Sequence, residues 1–510
     1  MSKWLVTLTV MLPTIIEIID MTVVNVSLAH IRGSLGGSFE ESTWILTMYM
    51  VANAIIIPIT GWLSRLFGRR NYLVISILMF TCSSFLCGVA WSIPALVVFR
   101  IFQGIGGGGL QPISQAILLE TFPKEEHGTA MAVYGAGTIV GPIFGPMLGG
   151  WITDNWSWHW IFFINIPIGI ISMAMALLFV KDPPWAKRQR ITIDYPGLIL
   201  VAVGVGSLQI MLDQGQLRDW FSSNLIKALA FVSIGALFGF VLKELKTKEP
   251  IIELRIFKDR SFSMGNLSMF SLFLALFGTI VLVPQYVQAL MGYTAFLAGL
   301  VIGPGGLVTV LSLFLTGRLV GRMNPKVLMV TGILIVAYSS YMMSGLNLQA
   351  DFWDIVWPRI VLGFGMGFIF IPTTILTLGS ISKEAMGMAT SIFAFVRNIG
   401  GSIGGAFVAT MLARRAQFHQ ARLVEGLTPF DLPYQMGMER LKGLLALRGL
   451  SEPSLSRGSE GLIYSELLRQ ASMLSFNDLF FLLTFLFLLC IPFMVAMRRV
   501  KEAKGVPLLH

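Results

Sequence analysis

Apolar positions do not alternate or form short amphipathic stripes in this chain. They come in runs of about 20 residues, broken by short polar segments, and a helix needs that length to cross the hydrocarbon of a bilayer. The pattern predicts an all-α polytopic membrane protein with fourteen spans. They are placed near 6–29, 42–63, 71–92, 95–120, 128–152, 159–180, 195–213, 225–243, 264–290, 296–317, 326–346, 354–379, 386–412 and 476–497. The first run contains Glu17 and Asp20 and has no small-residue cleavage site, so it is expected to be a retained span and not a signal peptide. One polar stretch is long, 413–475, with amphipathic runs near 434–448 and 460–474. It is expected as a long outer loop, either a simple insertion or a docking surface or lid.

An internal repeat organises the spans. Arg100-Ile-x-x-Gly104-x-Gly106-x-Gly108 recurs as Arg359-Ile-x-x-Gly363-x-Gly365-x-Gly367, and Lys124-Glu125-x-x-Gly128 recurs as Lys383-Glu384-x-x-Gly387. Gly141 and Gly145 recur as Gly400 and Gly404, with every match displaced by 259 residues. The displacement lays span 4 on span 12 and span 5 on span 13. It therefore predicts two parallel six-helix bundles separated by two inserted helices. The boundaries follow as 1–181, 182–259 and 260–510, the last containing the 413–475 loop.

Span 5 carries Gly137-Thr-Ile-Val-Gly141-Pro142-Ile-Phe-Gly145-Pro146-Met-Leu-Gly149-Gly150. In water each interior Gly would cost about 1 kcal/mol and each Pro about 3. Within a bilayer, small residues at i and i+4 instead allow close helix approach. The repeat suggests that Gly141 and Gly145, with Gly400 and Gly404, make the close contact between the halves, while the proline bend belongs to span 5 alone.

Composition agrees: 55% of residues are hydrophobic and 13% charged, far from the quarter charged of soluble domains. The net charge of +10 is explained by topology. With the N-terminus cytoplasmic, 23 of the 37 basic residues fall in cytoplasmic segments, including Lys187, Arg188, Arg190, Arg498, Arg499, Lys501 and Lys504. The short outer loops hold Arg32, Arg218 and Lys227. That bias is the positive-inside rule, so both termini are expected in the cytoplasm, and nothing argues for nucleic acid. Cys82, Cys87 and Cys490 lie in apolar runs, and the five histidines are scattered, so neither disulfides nor a metal set is expected. No cofactor is implied. Gly106–Gly109 lacks the Lys-Ser/Thr of a phosphate loop and sits mid-span, which rejects an ATPase.

Several motifs together resemble the major facilitator superfamily, and within it the fourteen-span drug:proton antiporters of the EmrB/QacA type. They are the Gly/Pro stretch of span 5, Asp20-Met-Thr22-Val-Val-Asn25 in span 1, Arg100-x-x-Gln103-Gly104 in span 4, and Trp158-x-Trp160-x-Phe-x-Ile-Asn165-x-Pro167 entering span 6. Leu208-Gln209-Ile-Met-Leu-Asp213-x-Gly215 resembles the EmrB branch. The resemblance implies a bacterial inner-membrane, proton-driven multidrug exporter of hydrophobic toxic compounds and not an enzyme. It also implies two partners, an EmrA-like periplasmic membrane-fusion adaptor and a TolC-like outer-membrane channel. One departure stands out: in Gly61-Trp-Leu63-Ser-Arg65-Leu-Phe-Gly68-Arg69-Arg70 the superfamily's usual Asp is Arg65. The charge-relay role of that Asp does not carry over. A proton-coupled importer and a stand-alone exporter are the alternatives.

Ionisable groups within spans are functional hypotheses by default. Hydrocarbon disfavours an ionised carboxylate, so Asp20, with Glu17 one turn before it, is the candidate for carrying protons. Arg100 is the candidate counter-ion. Arg359, the repeat copy of Arg100, lies close to Asp351 and Asp354 and is expected to form a structural pair there. Arg397 has no evident partner. Tyr49, Asn53, Gln103, Gln111, Gln115, Asn165 and Gln285 are polar groups in greasy helices that either orient substrate or bond across helices. Asp213, ending span 7, is a solvated helix end or a substrate or coupling contact.

Overall fold

The computed structural model describes residues 2–182, 193–247, 249–449 and 451–497, without the side chains of 140, 142 and 295. The basic residues expected at Lys187, Arg188, Arg190, Lys248, Arg498, Arg499, Lys501 and Lys504, and the Pro142 side chain, lie outside the described residues.

Among the described residues fourteen helices are long and apolar enough to span: α1 (Lys3–Leu35), α2 (Phe39–Phe67), α3 (Arg69–Gly88), α4 (Ile93–Thr121), α5 (Lys124–Asn155), α6 (Trp160–Phe179), α7 (Tyr195–Gln214), α8 (Asn224–Lys246), α9 (Arg260–Leu290), α10 (Phe296–Leu319), α11 (Pro325–Met343), α12 (Phe352–Leu378), α13 (Met386–Glu425) and α14 (Ser454–Ala496). Local chemistry sets several ends. Gly36 takes a left-handed φ of 66° and closes α1, and Ser38 and Glu41 form a reciprocal capping box that opens α2. Gly68, at φ 85°, turns α2 into α3, and there the Arg70 amide donates to Asp182 Oδ1 at 2.9 Å.

The repeat is visible as packing. In the first half α1 lies on α5, α2 on α4, and α3 on α4 and α6; in the second α9 lies on α13, α10 on α12, and α11 on α12 and α14. The inserted α7 packs on α2, while α8 packs mainly on α7 and leaves Phe231, Ile234 and Phe238 facing outward, as lipid-facing positions do. The halves meet where α5 crosses α10 and where α2 crosses α13. On the face holding Lys3 and the end of α14 they meet without room for a side chain. A methyl group on Gly61 would lie 2.6 Å from Met388 Cα, and one on Gly128 would lie 2.6 Å from Gly317 O. Beside these contacts Arg69 is buried against Glu120 at 2.6 Å. Arg65 turns instead to the linker after α8, donating to Pro250 O at 3.3 Å.

The 413–475 stretch is mostly helical and not an open loop. α13 continues unbroken to Glu425, α14 begins at Ser454, and the helix Leu432–Ala446 packs on α14. Arg415 Nε and His419 Nε2 both reach Asp478 Oδ2 at 2.6 Å and tie the two extensions together.

Candidate functional site

α4 is broken near its middle by Gly108–Gly109, and its glycines remove bulk where three helices converge. A methyl group on Gly104 would lie 2.5 Å from Tyr49 O, one on Gly106 2.5 Å from Phe80 N, and one on Gly108 2.7 Å from Asn53 O. The run that fails as a phosphate loop thus lets α4 sit against α2 and α3, which brings Arg100, Gln103 and Gln111 onto α1.

Asp20 is buried at the first node. Its Oδ2 accepts from Arg100 Nη1 at 2.5 Å, and its Oδ1 from Gln103 Nε2 at 2.9 Å and Asn165 Nδ2 at 2.7 Å. Ser84 Oγ accepts from the same two amides, at 3.2 and 2.8 Å, and donates to Phe162 O. Arg100 also donates to Gln103 Oε1 at 2.7 Å and lies 3.9 Å from the centre of the Tyr49 ring, a cation–π contact. Arg100 Nη2 and Asn165 Oδ1 have no partner among the described residues.

Glu17 is fully buried at the second node. Its Oε1 accepts from the Tyr49 hydroxyl at 3.1 Å and Asn53 Nδ2 at 3.0 Å, and its Oε2 from Gln111 Nε2 at 2.8 Å. Gln111 Oε1 in turn accepts from Arg397 Nη2 at 2.8 Å, so this network crosses from α4 to α13 in the other half. Tyr49 joins the nodes, with its hydroxyl on Glu17 and its ring under Arg100. Each carboxylate is therefore met by three donors, the arrangement that lets an ionised acid persist out of water. They differ in charge balance: Asp20 touches a guanidinium directly, whereas Glu17 has neutral donors and a cation one amide away.

Other candidates lie apart from these nodes. Gln115 points between α4 and α5, its Nε2 3.7 Å from Met131 Sδ and its Oε1 without a partner among the described residues. Asp213 is held at the end of α7 by Thr47 of α2 and by Gln214, and Gln285 is exposed near the end of α9. The expected pairing of Arg359 with Asp351 and Asp354 is not found. Those acids form a capping box at the start of α12, and Arg359 Nε and Nη1 are buried without a partner among the described residues. Helix-end amides claim the acids before the guanidinium can.

The glycine stretch of α5 also needs correction. It packs within its own half, against α1. A side chain on Gly137 would strike Met11, on Gly141 Ile18, and on Gly145 Thr22, and a methyl group on Gly149 would lie 3.1 Å from Val23 Cα. Thr22 Oγ1 donates to Gly141 O at 3.1 Å. Gly400 and Gly404 meet Phe270 and Leu274 of α9 in the same way, so the motif brackets the first helix of each half. Pro146 lies on this helix too. α5 meets α10 through other residues, including Gly128 and Gly135.

Sequence spacing did not reveal Ser84, Thr47 or the Arg397–Gln111 contact. Ser84 had only a weak signal, a Thr81/Ser83/Ser84 cluster in a greasy helix.

A family model described as Major Facilitator Superfamily matches residues 10–405. The chain is 36% identical over 485 residues to the multidrug export protein EmrB of Escherichia coli (strain K12), covering 95% of this chain and 93% of that one. It is 35% identical over 487 residues to the fatty acid resistance protein FarB of Neisseria gonorrhoeae, covering 96% and 94%. Among solved structures, the human organic anion transporter MFSD10 (TETRAN) matches at a TM-score of 0.59 and 12% identity, covering 96% of this chain and all of that one, and shares the fold.

Proposed function

The chain belongs to the major facilitator superfamily, among the relatives of the multidrug export protein EmrB, and from that premise we propose how it works. It is a multi-pass transporter that exports hydrophobic toxic compounds, energised by protons returning through Glu17 and Asp20. The observation that carries the reading is the pair of buried carboxylates one turn apart on α1, each held by three donors beside the interface of the halves. A buried acid with its own donors can hold a charge, and it can give that charge up when a proton arrives. A proton on Glu17 displaces no directly bound cation, whereas a proton on Asp20 loosens it from Arg100. At a membrane potential of 100 mV each returning charge supplies about 2.3 kcal/mol, enough for a roughly fiftyfold gradient of a neutral drug.

Both termini are placed in the cytoplasm, where the tight contacts at Gly61 and Gly128 would close the path. The outer face then carries the α13–α14 extension. Its exposed Phe430, Leu432, Met436 and Leu447 support docking of an EmrA-like adaptor that leads to a TolC-like channel. Tyr49, Asn53, Gln103, Gln111 and Asn165 serve the acids first, and substrate reaches them by displacing those bonds. Asp213, Gln115 and Gln285 are left as outlying substrate contacts.

Inside-out vesicles made acidic within should accumulate a fluorescent hydrophobic dye. Accumulation that ignores a protonophore would overturn proton coupling, and dye leaving acid-interior vesicles would favour an importer.

A further inference from the structure

Arg397 enters the Glu17 network from α13 and is 8% exposed. From the geometry we infer that Arg397 is the second half's sensor of the charge on Glu17, and that the Glu17–Gln111–Arg397 bridge latches the halves together only while Glu17 is ionised. The inference rests on the proton-coupling reading of Glu17.

The bridge has a direction. A glutamine amide has one accepting end and one donating end, and here the accepting end faces the guanidinium and the donating end the carboxylate, both at 2.8 Å. Turning the amide over would set its NH2 against the donors of Arg397. A proton on Glu17 Oε2 would set O–H against N–H and break the bridge at its other end. A proton on Oε1 is tolerated, because the Tyr49 hydroxyl can turn and accept. Even then the negative charge that the amide links to Arg397 is lost. In either case a guanidinium, which does not deprotonate in proteins, is left without its anion in a nearly dry site.

The charged and titratable groups facing Glu17 are Asp20 on its own helix, Arg100 on α4, Tyr49 on α2, Tyr134 on α5 and Arg397 on α13. Arg100 is held by Asp20 at 2.5 Å, and the phenols remain neutral at physiological pH. Arg397 is therefore the cation whose balance Glu17 changes. It also has a second resting place within its own half, the Phe273 ring on α9, 5.3 Å from its guanidinium. Protonation of Glu17 removes the charge-linked arm of Arg397's contact across the halves, leaving there the neutral Tyr134 hydroxyl of α5, and so favours the contact within one half.

The test uses the full chain in lipid nanodiscs, with Cys82→Ser and spin labels on Met147→Cys and Gly299→Cys. A methyl group on Gly299 would lie 3.5 Å from Met147 Cγ, so the pair reports on the approach of α5 to α10. The label-to-label distance should change between alkaline and mildly acidic buffer. Arg397→Met should shrink that change at least ~5-fold, Arg397→Lys should keep it, and Glu17→Gln should hold the acid distance at every pH. If Arg397→Met does not fold, Gln111→Met, which removes the bridging amide, should give the same loss. A wild-type response in the folded Arg397→Met or Gln111→Met protein would overturn the latch while leaving Glu17 coupling intact. A wild-type response in Glu17→Gln, or none in the unmutated pair, would overturn the coupling reading along with it.

Discussion

Arg100 and Arg359 occupy the same place in the two halves, one repeat apart, and their surroundings could hardly differ more. Arg100 has Asp20 at 2.5 Å, Gln103 at 2.7 Å and an aromatic face beneath it. In the second half the position of Asp20 is Thr279, whose hydroxyl is spent on Leu276 O, that of Gln103 is Leu362, and that of Glu17 is Leu276. Arg359 is left buried and 7% exposed, with two of its nitrogens unpartnered among the described residues. The helix pairings match between the halves while the polar network does not. Close packing needs only small residues at the crossings, and these recur. A buried ionisable cluster needs several donors converging on each charge, and such a set is found around the acids of the first half, with the second half contributing to it through Arg397.

The largest expected effect comes from the charged half. Asp20→Asn should lower energised drug uptake by about 100-fold or more, while binding of the drug to detergent-solubilised protein remains measurable. Drug resistance at the wild-type level in cells carrying that variant would show the acid to be dispensable. Next, the two arginines should part company in stability. Arg100→Met leaves the Asp20 charge buried without its counter-ion and should cost about 3–5 kcal/mol, seen as a fall in thermal unfolding temperature. Arg359→Met removes a charge whose Nε and Nη1 have no partner among the described residues, and should be neutral or stabilising. Equal losses in the two variants would mean that Arg359 has a partner after all.

Gly141→Leu should force α5 off Ile18 and displace the helix that carries both acids, at about 1–3 kcal/mol of overpacking, with transport lost. Gly150→Leu, where nothing lies within 4 Å, should transport normally. The smallest effect is expected at Gln115. Its carbonyl end is buried without a partner among the described residues, so Gln115→Leu should change stability by under about 1 kcal/mol and leave the pH profile of transport unmoved. A shifted profile would bring Gln115 into the acid network.

Much of this was legible in the sequence. Span number, the six-two-six order and the repeat follow from apolar run length and glycine spacing, which the bilayer translates almost directly into helices. Asp20, Glu17 and Arg100 stood out because a charge in an apolar run is costly enough to need a reason. The amphipathic runs near 434–448 and 460–474 fall on helices, but the unbroken continuation of α13 to Glu425 escaped because a water-facing helix does not register as a hydropathy peak. The partner of Arg397 escaped because Gln111 lies 286 residues away and outside the 259-residue repeat. The partner of the α5 glycines was misplaced because spacing shows that a helix is approached closely, and says nothing about which helix approaches it.

α13 has a mechanical consequence. It is 40 residues of helix with no proline inside it, about 60 Å long at 1.5 Å per residue. It begins at the tight contact of Met388 with Gly61, passes Arg397 about a quarter of the way along, and ends at Glu425, past the apolar span expected to close near 412. Such a rod is a lever with its fulcrum at the Met388–Gly61 contact and its last third or so, about 20 Å, projecting past the apolar span. A tilt of roughly ten degrees, the order seen in subunit rotations, sweeps the far tip by about 10 Å. Whatever rests on that tip is moved far more than the groups that trigger the tilt, so events at a buried carboxylate can be felt as displacement well outside the bilayer.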